Sequence, residues 1–144
     1  MRSDPICRSG RPLTDQAPGT WRGEIDQAWF RGSLLLDEIV FFHRASRTAI
    51  FADLIQAFGD RYLRAKWKPW QRRMARTLGI TASAGGYAPL DLRLSFLNRR
   101  LARRARDKVL NWSAEQVVTA HGDWVRAGGA TFPRGIALVA GLKL

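Results

Sequence analysis

Two histidines, one cysteine and twelve acidic residues are all that this chain of 144 residues has for holding a metal ion or moving a proton. The lone cysteine, Cys7, can form neither an internal disulfide nor, by itself, a structural zinc site, and such sparse cysteine usage fits a reducing cytoplasm. No uncharged apolar run approaches the roughly 18 to 20 residues that cross a bilayer, so a spanning helix is not expected. The first twenty residues, MRSDPICRSGRPLTDQAPGT, lack the apolar core of a secretory signal. Also missing are a phosphate-binding glycine loop ending in Gly-Lys-Ser or Gly-Lys-Thr, a Gly-x-Ser-x-Gly elbow, and a Cys and His pair placed for thiol catalysis. Catalysis by a nucleophile or a P-loop therefore has no sequence support.

What the chain does have is an ordinary apolar share, 46%, and 10% aromatic residues, enough to build a core. Its length suits one domain. Residues 1–20 mix Pro, Gly, Ser and Thr with scattered charges and read as a loose, disordered leader; residues 21–144 read as the folded unit. Twenty-four Lys and Arg against twelve Asp and Glu give a net charge of +12. More than half of the positive residues fall in two stretches. Residues 61–76 hold Arg61, Arg64, Lys66, Lys68, Arg72, Arg73 and Arg76 with no acid; residues 93–108 hold Arg93, Arg99, Arg100, Arg103, Arg104, Arg106 and Lys108 with Asp107 alone.

From Gly23 to Ile55 three runs rich in β-branched and aromatic residues, EIDQAWF, LLLDEIVFFH and TAIFADLI, predict three strands paired sequentially and antiparallel. Arg31-Gly32-Ser33 is a break of hairpin length, and Arg44 to Arg47 is a polar four-residue turn. The third run is almost wholly apolar, which predicts a central strand covered on both faces. From Gln56 to Trp112 Leu, Ala and Arg dominate and helix is expected. Pro69 to Leu78 starts with a proline suited to a first turn, TASAGGYAP (Thr81 to Pro89) reads as a loop, and one long helix is expected from Leu90 to Trp112. Its apolar stripe would be Leu94, Leu97, Leu101, Ala105 and Val109. Gln116 to Ala120 predicts a further strand returning to the same sheet, and the apolar tail from Thr131 predicts a last helix near Pro133. The fold class is thus α/β (α+β): one mixed or antiparallel sheet of about four strands with helices on one face.

Three side chains stand out. Asp53 lies near the end of an apolar strand, where a carboxylate needs a metal, a cation or a helix N-terminus; capping the next helix or pairing with an arginine would satisfy it equally. His121 sits where a strand leaves the sheet and is followed by Gly122, a place from which an imidazole can reach the crevice where α/β ligands collect; hydrogen bonding within a loop is the simpler role. His43 closes its strand before an arginine-rich turn and reads as a turn residue.

The pattern Gly23 to Gln27 (GEIDQ), Phe30-Arg31-Gly32, Glu38 to Leu54 (EIVFFHRASRTAIFADL) and Val118 to Gly122 (VTAHG) resembles the C-terminal half of a bacterial family of metallo-β-lactamase-like proteins known as a domain of unknown function. The resemblance covers roughly residues 21–124, and FFHRASRTAIFADLI is its most specific part. It implies a partial metallo-β-lactamase-like domain in which Asp53 resembles the aspartate that bridges two metals and His121 the histidine that binds one. The larger part of that superfamily's ligands, a His-x-His-x-Asp-His motif and one more histidine, has no counterpart in this sequence. The expectation is a truncated metallo-hydrolase-like domain without catalytic activity by itself, with no cofactor held tightly, although a complete relative would take zinc or iron. Half a sandwich implies an uncovered apolar sheet face, and with it self-association or a partner chain.

A second class of function needs no active site. Arg99, Arg100, Arg103 and Arg104 at helical spacing, with Arg72 and Arg73 in the other basic stretch beside Trp67 and Trp70, could bind nucleic acid or an anionic surface; a solvated helix face with core tryptophans accounts for the same residues.

Overall fold

A computed structural model of the chain describes residues 14–77, 88 and 90–126. Its elements run β1 (Ile25–Phe30), β2 (Glu38–His43), β3 (Thr48–Ala57), α1 (Asp60–Lys66), α2 (Pro69–Thr77), α3 (Leu90–Ser95), α4 (Arg99–Asn111), β4 (Gln116–Gly122) and β5 (Val125–Arg126). The five strands form one sheet in the order β1-β2-β3-β4-β5. Pairing is antiparallel except between β3 and β4, which are parallel; the described helices α1 to α4 lie between these two strands in the chain. The sheet is therefore mixed, with β3 in the middle as expected. No helix among the described residues is long and apolar enough to cross a membrane.

The period-2 alternation of each strand sets the two faces. Ala28 and Phe30, Val40 and Phe42, Ala49 and Phe51, and Val117 point into a core completed by Leu92 and Phe96 and by Ala102, Ala105 and Val109 of α4. Burying Phe30 or Phe96 completely contributes about 2 to 3 kcal/mol each. The opposite face carries the cross-strand row Phe41, Ile50 and Val118, with Ile50 40% and Val118 39% exposed. Full cover of β3 was the expectation, and it does not hold: the run is apolar on both faces, but the described helices α3 and α4 pack on one.

Two other expectations are corrected. Leu34 to Leu36 are not strand. Gly32 adopts φ +89°, its amide donates to Asp37 Oδ1 at 3.2 Å, and the Ser33 hydroxyl accepts from the amides of Leu35 and Leu36, so the chain turns until Glu38. Nor is there one helix from Leu90 to Trp112. It breaks at Phe96 to Asn98, where the amides of Leu97 and Asn98 donate to Gly32 O, Ser33 pairs with Phe96, and the Asn98 side chain caps α4 by accepting from Leu101 N. The break shifts the helical phase, leaving Leu94 and Leu97 65% and 71% exposed while Leu92 and Phe96 fill the core. Thr81 to Ser83 and the last helix expected near Pro133 lie outside the described residues, as does most of the loop to Pro89.

Residues 14–17, read above as part of the leader, lie along the outer edge of β1. Trp29 N donates to Asp15 Oδ1, Gln27 Nε2 to Thr14 O, and Ala17 is buried. Lys108 of α4 ties this edge down by donating to Asp15 O at 2.9 Å and Gln27 O at 2.6 Å while pairing with Asp26 at 3.1 Å. Burial alone would raise the Asp26 carboxyl, but hydrogen bonds from Gln27 N, Lys108 and Trp112 outweigh it and hold the group below the 3.8 of an unperturbed aspartate. A carboxyl with a depressed folded pKa contributes stability that is present above pH 3.8 and lost as pH falls through the folded value. An acid titration of thermal stability should therefore be shallower below pH 3.8 for Asp26→Asn than for the wild type; parallel curves would contradict this role.

Candidate functional site

β3 and β4 do not run in simple register. Phe51 lies opposite Thr119 and Gln56 opposite His121, so Ala52 to Ile55 bulge against the single residue Ala120. A bulge strands backbone amides that the ladder can no longer satisfy. Here Glu38, at the start of β2, satisfies them: its Oε1 accepts from Ala52 N at 2.8 Å, and its Oε2 accepts from Asp53 N at 2.9 Å and Leu54 N at 2.7 Å. The side chain is only 6% exposed. Burial pushes its carboxyl above the 4.5 of an unperturbed glutamate; the three amides pull it back, and the neighbouring Asp53 charge adds to the rise.

The bulge aims the Asp53 side chain at β4. Its Oδ1 lies 2.7 Å from His121 Nε2, and both side chains are 54% exposed. Asp53 is thus neither a helix cap nor an arginine partner, and it lies within a bulge of the strand, not at its end. His121 is not a loop histidine but a strand residue, one step before Gly122, whose φ of +143° ends the regular β conformation. Next to the pair lies an open concavity of about 240 Å³ lined by Phe58, Tyr62, His121 and Asp123 among others. At this distance a proton on Nε2 is shared with the carboxylate, and a metal ion held by both groups would take that proton's place.

His43 stays apart. Its Nδ1 bonds Ser46 Oγ at 2.7 Å across the β2–β3 turn, but it is the last residue of β2, paired in register with Thr48 at the far end of β3, and not a turn residue itself. Among the described residues, no three His, Cys, Asp or Glu side chains gather where they could hold one metal ion.

The two basic stretches differ in structure. In the second, Lys108 serves Asp26, and Arg106 is nearly buried and reaches Asp107 at 2.6 Å, whereas Arg99, Arg100, Arg103 and Arg104 are exposed along α4. In the first, Arg64 of α1 and Arg72, Arg73 and Arg76 of α2 converge on one concavity. Residue patterns pointed to Asp53, His121, Arg72 and Arg73 but not to Glu38, Tyr62 or Asp123. A signal for Glu38 was present, since an acid opening the apolar run EIVFFH raises the same question as Asp53 in its own strand. No protein-family model, no curated protein and no solved structure matches the chain.

Proposed function

We propose that this chain is a metallo-hydrolase-like half-site, in which Asp53 and His121 are two ligands of a zinc- or iron-type centre and the remaining ligands come from outside the described residues. The observation that supports the reading is the 2.7 Å approach of Asp53 to His121, from strands that meet only through the parallel crossover. One carboxylate and one imidazole are donors that a borderline divalent ion accepts, and the exposure of both side chains leaves them accessible. When fully coordinated, such an ion would polarise a bound water. Asp53 and His121 on their own provide the acidic oxygen, the imidazole nitrogen and a partly enclosed flank, and two ligands are too few to hold an activating ion. The domain is therefore read as catalytically silent by itself.

Equilibrium dialysis against zinc is expected to show one equivalent bound weakly, with a Kd of about 10 µM or above for a two-ligand site. Asp53→Ala and His121→Ala should each abolish it, and His43→Ala should not. Zinc retained by both of the first two variants would overturn the reading.

A further inference from the structure

We infer that the concavity between α1 and α2 is a binding site for a compact oligophosphate, an anion carrying two or three linked phosphates. It is open to solvent, is lined by Arg64, Pro69, Arg72, Arg73 and Arg76, and has a volume of about 410 Å³, within the size range of small-molecule sites. Four guanidinium groups share it. Among the described residues its one neighbouring carboxylate is Asp60, 3.7 Å from Arg76, and no carboxylate pairs with Arg64, Arg72 or Arg73. Among the described residues their mutual repulsion is otherwise uncompensated, and a multivalent anion seated among them relieves it. Guanidinium is the group suited to this, because its planar array of N–H donors matches phosphate oxygens two at a time.

The ligand is compact because of the shape of the site. The arginines come from two helices and face one another across a hollow, whereas a nucleic-acid track spreads its cations along a groove and supplies rings on which bases stack. Among the described residues, no aromatic side chain lines this hollow. Arg99, Arg100, Arg103 and Arg104, exposed along the single helix α4, are an equally basic group drawn from one element, and so provide an internal control. The site is separate from Asp53 and His121, none of whose atoms line it.

The test is calorimetric titration of the full chain with sodium tripolyphosphate in EDTA-containing buffer at about 0.1 M salt, where long-range attraction is largely screened. Arg72→Gln with Arg73→Gln should weaken binding by at least about tenfold, and Arg64→Gln, on the other helix, by a smaller factor. Arg99→Gln with Arg100→Gln removes the same charge elsewhere and should change affinity by no more than about twofold. Thermal melts check that each variant is folded, and His121→Ala should bind tripolyphosphate as the wild type does, which separates this site from the metal reading. ATP binding as tightly as tripolyphosphate identifies the phosphate chain alone as the ligand; tighter ATP binding identifies a nucleotide; AMP should be weaker than either. The proposal is overturned if the two double variants weaken binding equally, if a DNA duplex binds more tightly than tripolyphosphate with equal dependence on both doubles, or if no binding is detected.

Discussion

Replacing Glu38 with glutamine is expected to cost about 2 to 4 kcal/mol of folding stability, the cost of leaving one or two buried amides without an acceptor. Both carboxylate oxygens are occupied, one by Ala52 N and the other by Asp53 N and Leu54 N. An amide side chain has one acceptor oxygen and turns an NH2 group toward whichever amide it fails to serve. The bulge then loses its internal support, and Asp53 with it. Urea unfolding reads the loss as a lower midpoint, and a change below about 1 kcal/mol would mean that the bulge holds its shape by other means. The penalty also has a pH signature. Because the folded Glu38 carboxyl lies above 4.5, the folded chain keeps that proton to higher pH than the unfolded one. Its contribution is fully present below pH 4.5 and declines as pH rises through the folded value. Wild-type stability should therefore carry a component that declines as pH rises above 4.5, opposite in direction to the effect of Asp26.

Gly122→Ala is expected to be at least as damaging, at about 3 kcal/mol or more. Its φ of +143° is one that L side chains rarely adopt, and a Cβ there would run into the carbonyl group and amide nitrogen of Ala57. Those are backbone atoms of the central strand, and the same Ala57 carbonyl accepts from Asp123 N at 2.7 Å. Neither side can yield without undoing the end of the β3–β4 pairing, next to His121. Gly19→Ala and Gly23→Ala provide the comparison, since a methyl at either meets nothing within 4 Å, and each should stay within about 0.5 kcal/mol of wild type. A Gly122→Ala protein melting like these two would show that the strand ends can part at little cost.

Much of the sheet was legible in the sequence because each strand carries its own alternation, and the Arg44 to Arg47 turn has a length that admits little else. The start of α2 at Pro69 followed from the same kind of local rule. Errors arose where one segment answers to another far along the chain. Within Leu90 to Trp112 the local sign of a break is Asn98, a residue type favoured at helix starts; the break itself depends on Gly32 and Ser33 reaching across to Phe96 and Asn98. Leu34 to Leu36 look like strand until the Ser33 and Asp37 side chains take their neighbours' amides. The candidate pair shows the same division. Asp53 and His121 could each be suspected from immediate surroundings, but their meeting depends on a bulge held by Glu38, and a contact from one side chain to three distant amides leaves no periodic trace. The arginine hollow escaped for a related reason: counting charges locates basic stretches, while only the packing of α1 on α2 decides that four of them share a single space.

The crossover carried by residues 58–115 has a kinetic meaning as well. Antiparallel β1, β2 and β3 can zip up through short turns, but β4 finds β3 only after the entire helical excursion has been laid down, a closure with a large entropic toll. Asp53 can thus occupy a finished hairpin sheet while His121 is still far away. Their contact belongs to the latest stage of assembly, and the dyad marks a molecule whose long crossover has closed.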